Sequence, residues 1–266
     1  MIKKTLLGVV MKVVILAGGL GTRISEESHL KPKPMIELSG GMPILWHIMK
    51  YYSSYKYNDF IICCGYKGYV IKEYFANYYL HRSNVTFDFK NENKLIIHNN
   101  DVEPWKVTLV DTGYHTATGG RIKRVKQYLD NKPFMLTYGD GIGNINLYGL
   151  FSCHKRNHKI ATITAVQPGG RFGTVEISKR KTLFTEKRKE DGGWINGGFM
   201  VLEPGIFKYI KDDDTSLETD VLEKLGKENK LIAYKHHGFW QCMDTMRDKN
   251  YLDSLVEEGK APWMIW

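Results

Sequence analysis

The residues with the clearest chemical potential are three glycines near the start of the chain. Gly18, Gly19 and Gly21 come directly after the apolar, β-branched run Val13–Ala17, and Arg23 follows two residues later. Glycine has no Cβ and adopts positive φ angles readily, so successive backbone N–H groups can close around a phosphate oxygen. The segment therefore predicts a phosphate-binding loop, and the arginine beside it favours a polyphosphate.

The spacing of these glycines excludes two common phosphate-binding motifs. A P-loop requires a Lys-Ser/Thr pair after its last glycine, and no such pair follows Gly21. A dinucleotide-binding fingerprint requires a third glycine at the position of Ile24. A plain turn between a strand and a helix is the remaining alternative. Lys31 and Lys33, each followed by a proline, favour the phosphate-binding interpretation, because a solvated face would not need prolines to hold its lysines.

Two aspartates end apolar, strand-like segments and can bind a divalent cation. Asp140 lies between two glycines after Phe134–Tyr138, and Asp244 follows Phe239–Met243. Ligands of open α/β sheets bind at the carboxyl ends of the strands. Mg²⁺ takes one or two carboxylates and leaves its other positions to water and phosphate oxygens. The alternatives are an Asp-Gly turn at Asp140 and a helix N-cap at Asp244.

Three further positions carry groups suited to binding. Thr118 precedes two glycines at the start of a predicted helix, where it can act as an N-cap and where backbone N–H groups are expected to be free. Lys187 follows a strand-like run, and a surface lysine is the alternative there. Asn196 precedes two glycines that let a ring approach the backbone. No histidine pair has metal-ligand spacing. The sequence contains neither G-x-S-x-G nor H-E-x-x-H, so no motif supports a hydrolase.

Length, charge and hydropathy limit the class of protein. With 266 residues and 42% hydrophobic residues, the chain can form one large domain or one domain with an appendage. The net charge of +9 comes from basic residues that are spread along the chain. The densest run, Lys179–Lys181, is typical of a solvated turn. Small anionic substrates are therefore favoured over nucleic acid or a membrane surface, and no apolar stretch reaches the roughly 20 residues of a membrane span.

The cysteines and the N-terminus bear on the compartment and on the domain limits. None of the four cysteines forms a C-x-x-C pair, and Cys63 and Cys64 lie in an apolar run, so we expect buried, reduced thiols and a cytoplasmic protein. Residues 1–10 look in part like a signal peptide, but Lys12 interrupts the apolar stretch. We therefore predict an N-terminal extension over residues 1–10 and one domain over residues 11–266.

Apolar periodicity predicts alternating strands and helices through the first two-thirds of the chain. Short continuous strands between helices indicate a largely parallel sheet that is covered on both faces. The C-terminal third has more strands and fewer helices, which predicts a mixed sheet. The predicted strands are Val13–Ala17, Phe60–Cys64, Trp105–Val110, Phe134–Tyr138, Ile160–Val166, Gly173–Ile177, Thr182–Glu186, Gly197–Leu202 and Gly238–Asp244. The predicted helices cover Ile44–Tyr52, Val70–Leu80, Gly119–Leu129 and Ile145–Asn157.

Taken together, these segments resemble the sugar-1-phosphate nucleotidyltransferases from about Met11 to Trp266. The glycine loop marks the wider family, whereas Cys63–Tyr69 and Thr118–Arg121 are more specific and place the chain with members that use CTP. The remaining matching segments are Lys31–Met35, Pro43–Lys50, Phe60–Phe75, Val107–Gly113, Tyr138–Gly141, Gly170–Gly173, Ile195–Phe199 and Lys260–Trp263.

The resemblance implies a Rossmann-like α/β nucleotidyltransferase fold with a mostly parallel mixed sheet and small β-rich elements in the C-terminal third. It implies that CTP and glucose 1-phosphate give CDP-glucose and pyrophosphate, with Mg²⁺ as cofactor, early in deoxysugar synthesis for a surface polysaccharide (O-antigen). It also implies a homo-oligomer, such as a hexamer. An enzyme that uses UTP or dTTP would share the phosphate and metal residues. A metal-dependent glycosyltransferase would need an Asp-x-Asp pair, and none lies near Asp140.

The resemblance also implies roles for individual residues, position by position. It assigns catalysis to Arg23, Lys33 and Lys187, and metal binding to Asp140 and Asp244. It assigns the sugar phosphate to Glu186, Lys187, Asn196 and Gly197. It assigns nucleotide binding to Leu16, Ala17, Gly18, Gly19, Leu20, Gly21, Thr22, Arg23, Lys33, Thr118, Gly120, Arg121 and Gly139.

The chain departs from the family pattern at four places, none of which removes a proposed catalytic group. Arg188 and Cys242 replace prolines. Leu217–Asp220 replaces a Trp-Glu-Gln-Glu-like segment, and Tyr114-His115 varies the loop before Thr118. The last two differences bear on nucleotide preference or on subunit contacts.

Overall fold

The architecture was obtained from a computed structural model, which describes residues 11–21, 24, 29, 31–99, 101–167, 174–178, 181–185 and 193–266, with the backbone alone for 174–178 and 181–185. The strands are β1 (Val13–Leu16), β2 (Glu37–Leu38), β3 (Met42–Pro43), β4 (Asp59–Cys64), β5 (Val85–Asp88), β6 (Lys94–Ile97), β7 (Lys106–Asp111), β8 (Phe134–Tyr138), β9 (Gly141–Gly143), β10 (Ala161–Val166), β11 (Thr174–Ser178), β12 (Lys181–Thr185), β13 (Ile195–Leu202), β14 (Leu231–His236) and β15 (Trp240–Cys242). The helices are α1 (Ile44–Ser54), α2 (Gly68–Ala76), α3 (Tyr78–Arg82), α4 (Thr118–Arg124), α5 (Leu147–Asn157), α6 (Glu223–Lys227) and α7 (Met246–Glu257), and a π-helical turn spans Leu217–Leu222.

A seven-stranded sheet in the order β14-β10-β13-β8-β1-β4-β7 forms the centre of the molecule. The strand β1 is parallel to both of its neighbours, β4 and β8. Its four residues are all buried, because its two faces belong to two different apolar clusters. Val13 and Ile15 pack in the cluster that includes α1, whereas Val14 and Leu16 pack in the cluster that includes α4. Burial on both faces explains why the strand is a continuous apolar run rather than an alternating one.

One strand of this sheet is antiparallel to its neighbours, and its first residues therefore lie at the edge where the parallel strands end. The strand β13 is antiparallel to both β8 and β10. The carboxyl ends of β1, β4 and β8 lie at one edge of the sheet, and the beginning of β13, with Asn196, reaches the same edge. The antiparallel strand therefore supplies its first residues where the parallel strands supply their last ones.

The predicted fold class is confirmed: the sheet is mixed, mostly parallel and covered by helices on both faces. The predicted strands of this sheet agree with the structure to within two residues. The predicted helix Val70–Leu80 is wrong as a single element, because Asn77 leaves the helical conformation and separates α2 from α3. The helix predicted over Gly119–Leu129 begins at Thr118, ends at Arg124 and is followed by a short 3₁₀ segment.

Several elements were missed or extended too far by the prediction. The hairpin of β5 and β6 and the edge strand β14 were missed, because these partly exposed strands mix apolar and polar residues and do not appear as continuous buried runs. The helix α5 begins at Leu147 rather than Ile145, because the side chain of Asn146 accepts a hydrogen bond from Gly149 N at 2.9 Å and caps the helix. The predicted C-terminal strand is shorter and covers only β15. The division into an extension and one domain stays a prediction, and residues 1–10 lie outside the described residues.

All four cysteines are unpaired, and burial raises the pKa of the Cys64 thiol to about 11. Among the residues that the structure describes, no helix has both the length and the apolar character needed to cross a bilayer.

A buried histidine on α1 couples the stability of the fold to pH. The side chain of His47 is 3% exposed, and its Nδ1 accepts a hydrogen bond from Trp263 Nε1 at 3.4 Å. Its Nε2 has no hydrogen-bond partner among the described residues. Burial lowers the pKa of His47 from 6.5 to about 4, although Asp253 acts in the opposite direction.

We expect the protein to lose stability as the pH falls from 6.5 towards 4. The pKa of His47 is lower in the folded chain than in the unfolded chain, so the unfolded chain binds the extra proton within this window. The loss of unfolding free energy is on the order of 3 kcal/mol. Urea unfolding at pH 7 and pH 4.5 measures it. The variant His47→Leu should flatten the dependence and the exposed control His98→Leu should not; equal slopes in both variants would contradict the assignment.

Candidate active site

A cavity of about 440 Å³ opens at the carboxyl edge of the sheet, beside the ends of β1 and β8. It gathers many of the residues that the sequence predicted for nucleotide or metal binding. Those residues are Leu16, Ala17, Gly18, Gly19, Leu20, Gly21, Lys33, Thr118, Arg121, Gly139 and Asp140. Four lining residues had not been predicted as site residues: Pro34, Thr116, Ala117 and Tyr138. Pro34 and Tyr138 belong to motifs that the sequence analysis had identified. Each is adjacent to a predicted site residue, and this could have indicated that it lines the cavity.

The glycine loop leaves β1 and is anchored from both sides by backbone hydrogen bonds. Ala17 N donates to Cys63 O at 3.1 Å, and Tyr66 N donates to Gly18 O at 3.2 Å. On the other side, Gly139 N donates to Leu16 O at 2.9 Å. The loop is therefore held by the ends of both neighbouring strands, which gives a ligand in the cavity a fixed backbone surface.

The guanidinium of Arg121 lies directly beneath this loop. The residue is 5% exposed. Its Nη1 donates to Thr112 Oγ1 at 2.8 Å and to Gly113 O at 2.7 Å, and its Nη2 donates to Tyr114 O at 3.2 Å. These acceptors lie at and after the end of β7, so Arg121 joins α4 to that end of the sheet.

Among the described residues, every acceptor of a hydrogen bond from this guanidinium is a neutral oxygen. Burial lowers the pKa of Arg121, but an arginine remains charged in proteins. The result is a positive charge that is buried under the glycine loop and is not cancelled by a salt bridge in the part of the chain that the structure describes. A buried charge of this kind attracts an anion to the cavity.

Lys33 joins the two predicted metal-binding aspartates. Its Nζ lies 2.7 Å from Asp140 Oδ2 and 2.6 Å from Asp244 Oδ1, and its side chain is 9% exposed. Burial alone would lower the pKa of Lys33, but the carboxylate of Asp140 and then that of Asp244 raise it above its ordinary value. The ammonium is therefore charged, and the two carboxylates converge on a single point.

A short ribbon of β9 and β15 explains why two aspartates that are far apart in the sequence meet. Cys242 pairs with Gly141, and Met243 N donates to Asp140 O at 2.9 Å. The alternative that Asp244 caps the following helix is wrong. Thr245 is the N-cap of α7, and its side chain forms a capping box with Asp248.

The segment at the start of α4 differs from the expectation in two respects. Thr118 is not an N-cap, since Ala117 holds that position without a side-chain hydrogen bond. The backbone N–H groups beside it are not free. Gly119 N and Gly120 N both donate to Thr215 O, at 3.0 and 3.3 Å. The loop before the π-helical turn therefore satisfies the donors that the prediction had assigned to a ligand, and Gly120 packs against this loop and does not line the cavity.

Two of the residues predicted for the sugar phosphate, Asn196 and Gly197, lie at the beginning of β13, next to the cavity. The amide oxygen of Asn196 accepts a hydrogen bond from Gly198 N at 3.0 Å, and Gly197 O accepts one from Trp240 Nε1 at 2.8 Å. Gly198 has a φ of +83°, and a Cβ there would lie 2.6 Å from the ring of Tyr138. The absence of a side chain thus lets β13 approach Tyr138 closely.

Several predicted site residues lie outside the described residues: Thr22, Arg23, Glu186 and Lys187. Their roles stay predictions, as do those of the residues that the cavity brings together. Glu218, in the π-helical turn, was not predicted as a site residue. Its carboxylate accepts hydrogen bonds from Thr118 and from Tyr138, two residues that line the cavity. The available signal was the departure of Leu217–Asp220 from the family pattern, which the sequence analysis had linked to nucleotide preference or subunit contacts.

The fold places a cavity lined by the glycine loop, Lys33 and Asp140 at the carboxyl edge of a mixed α/β sheet. The chain belongs to the nucleotidyl transferase family, whose model matches residues 12–253. This match confirms the family resemblance inferred from the motifs.

Two relatives are similar to this chain over nearly its whole length. The chain is 56% identical to the glucose-1-phosphate cytidylyltransferase of Salmonella typhi over 258 residues, which cover 96% of this chain and 100% of that protein. It is equally similar, at 56% identity, to the glucose-1-phosphate cytidylyltransferase of Salmonella typhimurium, with the same coverage. Among solved structures, HddC from Yersinia pseudotuberculosis shares the fold with a TM-score of 0.67 at 23% identity, over 92% of this chain and 99% of that one.

We expect Gly18→Ala to destabilise the protein, because a Cβ at this position would lie 2.6 Å from Cζ of the buried Arg121. The guanidinium is held by its own hydrogen bonds, so it cannot move away without losing them. Overpacking of this kind costs about 1–3 kcal/mol. The control is Gly19→Ala, since a Cβ at Gly19 meets nothing within 4 Å. Urea unfolding measures both variants, and equal stability of the two would show that Arg121 does not constrain the loop.

Proposed function

We propose that this chain transfers the cytidylyl group of CTP to glucose 1-phosphate and releases CDP-glucose and pyrophosphate. The observation that carries the proposal is the meeting, at one cavity, of a glycine loop, the buried charge of Arg121 and the pair of Lys33 and Asp140, with Asp244 bound to Lys33 beside it. The identity of 56% to a glucose-1-phosphate cytidylyltransferase over nearly the whole chain supports the choice of substrates.

The chemistry of this reaction agrees with the groups at hand. A sugar phosphate is already an anionic nucleophile at neutral pH, so no strong general base is needed. The protein must align the sugar phosphate with the α-phosphorus of the nucleotide and neutralise charge on the transferring group. Positively charged side chains and backbone N–H groups around a phosphate meet both needs, and they act most strongly where water is excluded.

The donor set at Asp140 and Asp244 fits Mg²⁺. Both groups are carboxylates, which suit this hard cation, and two carboxylates leave its remaining positions to water and to phosphate oxygens. They also converge on the same point, since both lie within 2.7 Å of Lys33 Nζ. We infer that Asp140 and Asp244 hold Mg²⁺, which supplies charge neutralisation at the phosphate oxygens when it is bound.

In this proposal Lys33 is the cation that moves between two anionic partners. Its ammonium neutralises the two carboxylates in the free protein. With a triphosphate in the cavity, the same ammonium binds the departing pyrophosphate, together with Arg23. Arg121 contributes fixed positive charge beneath the loop. Lys187, Glu186, Asn196 and Gly197 bind the sugar phosphate.

We further propose that the protein is a cytoplasmic homo-oligomer, such as a hexamer, that acts early in deoxysugar synthesis for a surface polysaccharide. The hairpin of β5 and β6 supports an oligomer. Phe87 and Phe89, on and just after β5, are 50% and 78% exposed, and Ile97 on β6 is 47% exposed. An isolated two-stranded hairpin is marginally stable in water, so exposed apolar side chains on it favour burial in an assembly.

The nucleotide is tested by supplying the purified protein with Mg²⁺, glucose 1-phosphate and each nucleoside triphosphate in turn. We expect pyrophosphate to be released fastest with CTP. An equal or faster release with UTP or dTTP would replace cytidylyl transfer with the uridylyl or thymidylyl reaction. No release with any nucleotide would contradict the proposed reaction as a whole.

The metal and the lysine are tested by Asp140→Asn and Lys33→Ala. Each should lower kcat by at least about 100-fold, because each removes charge that acts on the transition state. A matched control is Asp130→Asn, which removes a carboxylate that is 57% exposed and pairs with Lys12 away from the cavity. Circular dichroism verifies that the variants fold, and turnover close to that of the control would remove the residue from its proposed role.

A further inference from the structure

The carboxylate of Glu218 accepts hydrogen bonds from hydroxyl groups of three different segments of the chain. Its Oε2 accepts hydrogen bonds from Thr118 Oγ1 at 2.6 Å and from Ser216 Oγ at 3.0 Å. Its Oε1 accepts one from the phenol of Tyr138. Two of these partners, Thr118 and Tyr138, line the cavity. Glu218 itself lies behind them, in the π-helical turn Leu217–Leu222.

The orientation of the Thr118 hydroxyl follows from its two hydrogen bonds. A hydroxyl has one proton and two lone pairs, whereas an ionised carboxylate only accepts. The proton of Thr118 therefore points to Glu218. One lone pair accepts a hydrogen bond from Leu217 N at 2.9 Å, and no described residue donates to the other. Towards a ligand, the Thr118 oxygen can accept a hydrogen bond but has no proton to donate.

The phenol of Tyr138 is polarised in the same way. Burial, followed by the negative charge of Glu218, raises the pKa of Tyr138, so the phenol keeps its proton. That proton is donated to Glu218. Both hydroxyl oxygens at this wall of the cavity are thus turned so that their remaining capacity is to accept.

A wall that only accepts hydrogen bonds distinguishes the pyrimidine bases at position 4. Cytosine carries an amino group there, which donates, whereas thymine and uracil carry a carbonyl oxygen, which accepts. An acceptor that faces O4 leaves both oxygens without a partner, and an unsatisfied buried polar group lowers affinity. The orientation of the Thr118 hydroxyl therefore favours cytosine.

We propose that Glu218 is a positioning residue for base selection, which fixes the Thr118 hydroxyl as an acceptor for the 4-amino group of cytosine. The inference rests on the proposed function, because it requires that the base of the nucleotide lies beside Thr118. Glu218 itself does not touch the nucleotide. It acts by determining where the proton of Thr118 points.

The test compares kcat/KM for CTP and UTP in the wild type and in variants of both residues. Glu218→Ala frees the Thr118 proton, so the hydroxyl can also donate to O4 of UTP. Thr118→Val removes the oxygen. We expect each variant to reduce the preference for CTP over UTP about tenfold, the usual size of one hydrogen bond between neutral groups. Because both act on one interaction, the double variant should show no further reduction.

Two controls separate base selection from a merely structural role. Thr118→Ser keeps the hydroxyl and should keep the preference for CTP. Glu223→Ala removes a glutamate that is 62% exposed and follows the π-helical turn, so it should leave the preference unchanged. A structural role for Glu218 would lower kcat/KM for CTP and UTP by the same factor, and that result would overturn the proposal.

A second probe covers the case in which Glu218→Ala does not fold. The triphosphate of pyrimidin-2-one riboside lacks the 4-amino group of CTP and has no O4. The wild type should use it about tenfold less efficiently than CTP, and Thr118→Val should use the two about equally. If Thr118→Val keeps the full preference for CTP, the proposal fails while CTP turnover by the wild type leaves the proposed reaction intact. Absence of turnover with CTP would instead contradict the reaction.

Discussion

The edge of the sheet that holds the cavity depends on the burial of one guanidinium beneath a glycine, a position where no side chain competes for the space. Arg121 reaches from α4 to the backbone after β7 and lies below Gly18. Gly65, after β4, is packed against the same guanidinium, so a Cβ at either glycine would collide with it. The glycines are therefore required first for packing. That packing brings a fixed positive charge to the floor of the cavity, where it can act on an anion.

The second constraint is the charge balance at the cluster of Lys33, Asp140 and Asp244. Two carboxylates this close together repel each other, and the ammonium between them offsets that repulsion. The positions of the three groups have different origins. Asp140 follows a central strand, Asp244 is brought alongside by the pairing of β15 with β9, and Lys33 lies in a 3₁₀ segment between prolines. In the proposed function, these carboxylates would bind a metal in place of Lys33, and Lys33 would bind phosphate instead.

Much of the fold could be predicted because its signals are local. The strands β1 and β8 are buried on both faces, so each appears in the sequence as an unbroken apolar run, and the ends of β8 were predicted correctly. The break between α2 and α3 and the hairpin of β5 and β6 could not be found in this way. Asn77 leaves the helix without a proline or glycine, and the hairpin exposes Phe87 and Ile97, so its apolar residues do not mark a buried face.

The same distinction between local and long-range signals applies to the candidate site. The sequence by itself determined the residue types that can bind phosphate and metal, because the glycine spacing, the strand-end aspartates and the proline-flanked lysine are each contained in a few consecutive residues. Only the tertiary structure decided what these groups contact. Arg121 is buried beneath the loop, Thr215 takes the N–H groups at the start of α4, and Glu218 directs the Thr118 hydroxyl. The physical reason is that a hydrogen bond depends on distance and direction between segments about 100 residues apart, as for Thr118 and Glu218, and no local pattern encodes either.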